Sequence, residues 1–165
     1  MSNRRTREKI YETVRKLIDK NITITCMESV SGGMLSSLLT DCEGSSAIFK
    51  GSFVTYSNAA KEAVGVPASI ISDYGVYSHE CARAMASAAR KKMKTEMSIG
   101  ITGVLANKDP ANPEGQTGKV YYAIEYGSGG RCDCIDNIPL ADRIESKMYV
   151  CLKIMECVDN MISSK

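Results

Sequence analysis

Ile22-Thr23-Ile24-Thr25-Cys26-Met27-Glu28-Ser29-Val30-Ser31-Gly32-Gly33, followed by Leu35, Leu38, Leu39 and Cys42 on one helical face, is the stretch on which the fold turns. Apolar and β-branched residues alternate over Ile22 to Cys26, as in a strand, and the apolar spacing then changes to that of a helix. Two glycines separate the two patterns, so the segment reads as strand, tight turn, helix, with Glu28-Ser29-Val30-Ser31 in the turn.

Upstream, Ile10, Val14, Leu17 and Ile18 fall at helical spacing. Downstream, 49–56 reads as a strand and 58–64 as a short helix, and Pro67 and Gly75 bound a loop. Ser78 suits the N-cap of a helix carrying Cys81, Met85, Ala89 and Met93, with Glu80 in its first turn. Met97, Ile99 and Ile101 alternate into Thr102-Gly103, and 104–117, with its prolines and asparagines, forms a loop too long for a simple connector. Two further strands, 120–126 and 132–138, flank Gly127-Ser128-Gly129-Gly130. A last helix starts at about Asp142, with Ile144, Met148, Cys151, Met155, Val158 and Ile162 as its buried stripe. Helices around about five strands, two of them hairpin-like, predict an α/β fold, a three-layer α/β/α sandwich on a mixed sheet.

At 165 residues the chain is the size of one domain, and residues 1–165 are expected to form a single unit. Its 21 Lys and Arg stand against 19 Asp and Glu, which leaves no electrostatic footprint for nucleic acid. The basic cluster Arg4, Arg5, Arg7 and Lys9 reads as the solvated face of the first helix, because no apolar run follows that would make it a targeting segment. No stretch has the apolar length to span a membrane. The seven cysteines form an odd set scattered through apolar patterns, so they read as reduced core thiols of a cytoplasmic protein. Cys132 and Cys134 lack a second pair, the only histidine is His79, and neither a metal nor another cofactor is expected. Self-association is left open.

In open α/β sheets ligands bind beyond the carboxyl ends of the strands, which selects Glu28 to Ser31, Tyr56-Ser57 and Thr102-Gly103. Ser29 sits where strand gives way to helix, and the N–H groups of Val30 to Gly33 could form an oxyanion site or a phosphate cradle. The bland alternative, Ser29 or Ser31 as a helix cap, is the commoner use of serine at such a place. A serine nucleophile needs a base. His79 follows Ser78 in the first turn of a helix, a poor place for an imidazole that must become positive. A neutral lysine is the other partner, and Lys61, among Ala59, Ala60, Ala63 and Val64, is either that base or an ordinary exposed lysine.

Met27-Glu28-Ser29-Val30-Ser31-Gly32-Gly33 resembles the A-E-S-C-T-G-G segment of the CinA C-terminal-domain family of nicotinamide-mononucleotide deamidases. Thr40-Asp41 through Gly44-Ser45-Ser46 is similar to its T-D-x-x-G-S-S, and 51–61, ending Thr55-Tyr56-Ser57-Asn58-Ala59-Ala60-Lys61, to its G-x-V-T-Y-S-N-x-x-K. Gly75 to Ser78, Ile101 to Gly103, Gly118 to Tyr121 and Asp142-Arg143 continue the likeness over nearly the whole chain. The resemblance implies metal-free hydrolysis of nicotinamide mononucleotide to nicotinate mononucleotide and ammonia. Ser29 would be the nucleophile, Lys61 the base, and Tyr56 and Ser46 their supporting hydrogen-bond network. Ser31, Gly32, Gly33, Thr102, Gly103 and Arg143 would meet the substrate, Arg143 through the paired hydrogen bonds that a guanidinium offers a phosphate. The chain departs from the family at Val104-Leu105-Ala106, which replaces I-A-G-P, at 112–117, which has lost glycines, and at Lys147, where an arginine is common. It resembles a stand-alone version of a domain that longer relatives carry behind a pyrophosphatase-like one. A non-catalytic nucleotide-binding or partner protein that has kept the pocket is the alternative, favoured by the altered loop and disfavoured by retention of Ser29 with Lys61.

Overall fold

The computed structural model describes residues 3–106, 109–139 and 142–163. Helix α1, Asn3–Asp19, leads into strand β1, Ile24–Glu28, and helix α2, Met34–Thr40; a 3-10 turn at Ser45–Ala47 then precedes β2, Phe49–Val54. Three helices follow, α3 at Asn58–Val64, α4 at Ala68–Tyr74 and α5 at His79–Met93. β3, Met97–Val104, β4, Lys119–Tyr126, and β5, Gly129–Ile135, complete the sheet before α6, Arg143–Ser163.

The five strands form one mixed sheet in the order β2-β1-β3-β4-β5. β2, β1 and β3 run parallel, whereas β4 and β5 are joined antiparallel through a hairpin. On one face α1, α2 and α6 share a core with Ile24, Cys26, Ile99, Ile101 and Ile124. On the other, α5 packs with Met27, and Val64, Ile70 and Ile71 of α3 and α4 cover the margin. This is the expected α/β/α sandwich.

β1 is buried along its whole length. The alternation at 22–26 therefore marks a central strand covered on both faces, and Thr25 meets its burial by donating to the Gly51 carbonyl at 2.7 Å. Leu35, Leu38 and Leu39 face the core as expected, each burial stabilising by about 1.5–3 kcal/mol. α5 lies so close to β3 that a Cβ at Gly100 would come within 2.2 Å of the Ala82 carbonyl oxygen and 2.6 Å of the Ala86 nitrogen. Ala82, Ala86 and Ala89 keep that face of α5 flat enough for the approach.

Three expectations are corrected. The segment between Pro67 and Gly75 is the helix α4, not a loop; Pro67 supplies its N-cap and Gly75 its C-cap, so the two residues punctuate a helix. The second half of the hairpin starts at Gly129, because only Gly127 and Ser128 form the turn, with Gly127 at φ 61°. Ile144 is 61% exposed, since the first turn of α6 rises beyond the sheet it packs on. The rest of the predicted stripe, from Met148 to Ile162, is buried.

Candidate active site

The carboxyl ends of the three parallel strands open on one edge of the sheet. Parallel pairing places Glu28 beside Val54, so Ser29 and Thr55 emerge together. Thr55 N–H donates to the Glu28 carbonyl at 2.8 Å, and Ser29 N–H to the Ile101 carbonyl at 3.0 Å, which extends the sheet one step into the turn.

The turn is held by a residue whose role the sequence did not reveal. The Glu28 carboxylate is fully buried and accepts from Ser31 Oγ at 2.7 Å, Gly33 N–H at 3.1 Å, Leu35 N–H at 3.0 Å and Ser36 N–H at 2.8 Å, as well as from Ser36 Oγ. The chain's own carboxylate thus takes the N–H groups at the start of α2 that would otherwise face an external anion. Gly33, at φ 91°, adopts the left-handed conformation from which its N–H joins this set. The expected phosphate cradle at Ser31, Gly32 and Gly33 is therefore corrected. Ser31 is buried with its hydroxyl committed to Glu28, Gly32 N–H donates to the Ser29 carbonyl at 3.0 Å, and none of the three lines the cleft. The Val30 and Ser31 N–H groups have no acceptor among the described residues, and Val30 does line the cleft.

Lys61 lies one turn inside α3, whose N-cap, Ser57 Oγ, accepts from Ala60 N–H at 3.1 Å. Only three residues separate β2 from this helix, so Lys61 folds back over the end of β1. It is 2% exposed, and its Nζ is 3.3 Å from Ser29 Oγ and donates to the Thr55 carbonyl at 3.0 Å. Among the described residues no carboxylate lies within ion-pairing distance of it. Burial pulls its pKa below the ordinary 10.5, with the Cys81 thiol and Asp109 pulling weakly the other way. A buried lysine held beside a serine hydroxyl can supply a neutral amine, which an exposed lysine cannot.

Ser29 forms part of the wall of a cleft of about 520 Å³, together with Val30, Tyr56, Tyr77, Gly103 and Arg143, and with Val104, Leu105, Asp109 and Pro110 from the long loop. Arg143 Nη2 donates to Tyr56 Oη at 3.0 Å across the mouth, where both side chains are exposed. Asp142 caps α6 by accepting from Ile144 and Glu145 N–H at 2.7 and 3.0 Å, which sets Arg143 in the first turn.

The structure does not bring every expected residue here. Ser46 is exposed in the 3-10 turn before β2, at the amino end of a strand about 20 Å long, and so at the opposite edge of the sheet from Ser29. Thr102 is fully buried and donates to the Val76 carbonyl at 2.7 Å, tying β3 to the segment that carries Tyr77. His79 is engaged elsewhere, with Nδ1 3.3 Å from Cys132 Sγ and its ring edge-on to Tyr121. Sequence reading also missed Tyr77, whose hydroxyl donates to Asp109 at 3.2 Å, and the paired amides of Asn58 and Asn112, at 3.0 and 3.2 Å, which pin the loop to α3. Residues 107–108 of that loop lie outside the described residues.

The model of the CinA C-terminal domain matches residues 7–162. The chain belongs to the CinA C-terminal domain family. It is 39% identical over 120 residues to a competence-damage inducible protein of Acetivibrio thermocellus, covering 72% of this chain and 29% of that protein. Against the corresponding protein of Oceanobacillus iheyensis it is 36% identical over 157 residues, 92% of this chain and 36% of the relative. The chain thus spans about a third of the length of these curated relatives. A crystal structure of a CinA superfamily protein from Klebsiella pneumoniae superposes with a TM-score of 0.88 at 20% identity, covering 97% of this chain and 99% of that one. A competence/damage inducible protein from Agrobacterium tumefaciens gives 0.83 at 22% identity, covering 99% and 97%. At those identities the likeness speaks for the CinA fold. No helix among the described residues is long and apolar enough to cross a membrane.

Proposed function

We propose that this domain hydrolyses the carboxamide of nicotinamide mononucleotide to nicotinate mononucleotide and ammonia, with Ser29 as nucleophile and Lys61 as general base. The observation that carries the reading is the buried pair itself, Lys61 Nζ 3.3 Å from Ser29 Oγ, with no carboxylate among the described residues within ion-pairing distance of the lysine.

In this reading the neutral Lys61 amine takes the Ser29 proton as Oγ bonds to the carboxamide carbon. The negative charge gathers on the former carbonyl oxygen, and the Val30 N–H, beside the cleft and without an acceptor among the described residues, is the donor assigned to meet it. Collapse of that intermediate breaks the C–N bond, and the Lys61 ammonium returns its proton to the leaving nitrogen, which departs as ammonia. The acid portion remains as an ester on Ser29. Water then attacks the ester while Lys61 takes its proton; the C–O bond to Ser29 breaks, and the proton returns to Oγ. The Thr55 carbonyl holds Nζ in place through both halves.

The test is ammonia release by the purified protein from nicotinamide mononucleotide, nicotinamide riboside and free nicotinamide. Release from the mononucleotide, lost in Ser29→Ala and in Lys61→Ala by at least about a hundredfold, supports the reading. Binding of the mononucleotide without ammonia release would overturn it in favour of a nucleotide-binding protein that has kept the pocket.

A further inference from the structure

Among the described residues, the wall of the cleft around Ser29 carries two charges of opposite sign, and only one of them belongs to the machinery described above. Arg143 supplies the positive one at the mouth. The negative one is Asp109, in the long loop between the two stretches, 104–106 and 112–117, that depart from the family pattern. Its Oδ1 accepts from Ala111 N–H at 2.9 Å, and its Oδ2 from Asn112 Nδ2 at 2.7 Å and Tyr77 Oη at 3.2 Å. Asn112 is itself clamped to Asn58, three residues before Lys61 on α3, so the carboxylate is mounted on the same frame as the buried lysine.

Three donors that carry no charge hold Asp109 in place, and among the described residues no lysine or arginine pairs with it. These hydrogen bonds, led by Asn112 and then Ala111, lower its pKa and keep it ionised. An ionised side chain held on the wall of a cleft by neutral donors, with no pairing cation among the described residues, favours a cation in that cleft. Lys61 does not fill this role when it acts as a base, because it must then be neutral. The remaining walls are the rings of Tyr56 and Tyr77 and the apolar Val30, Val104, Leu105 and Pro110, which suit a flat, weakly hydrated cation better than an ammonium.

We propose that Asp109 is a specificity-determining residue that selects substrates whose aromatic ring carries a permanent positive charge, namely N-substituted pyridinium carboxamides, over neutral carboxamides of the same shape. The proposal rests on the amidohydrolase reading for its substrate. Attachment of ribose to the ring nitrogen creates a charge that no pH removes, so Asp109 distinguishes the substituted ring from free nicotinamide at the ring itself. Arg143, at the other pole, meets the phosphate. A cleft with one charge of each sign thus matches a zwitterionic substrate, and the loop sets half of that match.

The experiment compares nicotinamide mononucleotide with its 1,4-dihydro form, which keeps the ribose phosphate and the carboxamide but has an uncharged ring. Binding is measured by calorimetry in a Ser29→Ala background, where turnover cannot interfere, with and without Asp109→Asn. With Asp109 present the cationic ring is expected to bind at least about tenfold more tightly than the neutral one, and Asp109→Asn to weaken the cationic ligand by about tenfold while changing the neutral one less than about twofold. Equal affinity for the two forms with Asp109 in place overturns the proposal without any variant at that position. Equal weakening of both by Asp109→Asn also overturns it, because the carboxylate would then merely hold the loop, and so does failure of either form to bind. Absence of ammonia release from the Ser29-intact protein would sink the hydrolase reading alone, since the preference between the two rings is read from binding.

Discussion

At the scale of single residues, two buried ionisable groups serve Ser29 in different ways, Glu28 as its chain neighbour that holds the turn and Lys61 as the amine 3.3 Å from its Oγ. Glu28 is surrounded by donors, whereas Lys61 meets only neutral acceptors among the described residues, the Thr55 carbonyl and Ser29 Oγ. Glu28→Gln puts an amide NH₂ against N–H groups that need an acceptor, and each buried group left unsatisfied costs about 1–3 kcal/mol. The variant is expected to lose at least about 2 kcal/mol in a urea titration and to lose turnover with it, since the same carboxylate shapes the turn that carries Ser29. Lys61→Met removes an amine whose charged form is penalised by burial. It is expected to abolish ammonia release while leaving stability unchanged or raised by about 0.5–2 kcal/mol, measured by thermal melting. Because the folded state depresses the Lys61 pKa, the unfolded chain binds more protons between that value and the ordinary 10.5. Stability in the parent protein should therefore rise with pH across that window, and the rise should be smaller in Lys61→Met. In the proposed reaction the neutral amine is the active form, so kcat/KM should also rise with pH through the Lys61 pKa and level off above it. A flat profile below 10.5 would assign the base elsewhere.

Among the elements, the contact between α5 and β3 is the least forgiving. Gly100→Ala would drive a methyl group into the main chain at Ala82 and Ala86. Overpacking of this kind costs about 1–3 kcal/mol, which in a domain of this size lowers Tm by roughly 2–4 °C per kcal/mol. Because the obstructing atoms are a carbonyl oxygen and an amide nitrogen, Ala82→Gly should not rescue the variant in a thermal melt. The long loop has the opposite character, fastened to the body by side chains instead of a ladder. Asn112 bonds both Asn58 and Asp109. Asn112→Ala is expected to leave the fold intact but to speed amide exchange over 109–117 and to raise KM more than it lowers kcat, because in the proposed reading it loosens the loop side of the cleft and not the Ser29–Lys61 pair.

Across the whole molecule, the cleft depends on segments that meet only when the sheet is assembled: the turn after β1, the start of α3, the loop after β3 and the first turn of α6. α6 packs on one face of the sheet yet carries Arg143 over the edge to Tyr56. Arg143→Ala is expected to lower kcat/KM at least about tenfold on the mononucleotide and less than about threefold on the riboside, since contacts to a charged group are worth about 1.5–3 kcal/mol and the riboside offers no phosphate. Equal losses on both would mean that Arg143 serves the amide end instead. The sequence by itself determined the strand, turn and helix around Ser29, the cap at Ser78, the mixed sheet and its sandwich of helices. These follow from spacings of two to four residues and from side chains that reach their own backbone. Helix α4 escaped because its Pro and Gly boundaries are also those of a loop, and none of its residues is fully buried to give a periodic signal. Only the tertiary structure decided that the start of α2 is closed by Glu28, that Ser46 stands at the far edge of the sheet, and that Tyr77, Asp109 and Arg143 share a wall with Ser29. It also placed Lys61 in the interior, 2% exposed with its Nζ 3.3 Å from Ser29 Oγ, and not on the surface. Hydrogen-bond partners and desolvation belong to the assembled sheet, because strand order places residues tens of positions apart within contact and closes water out between them.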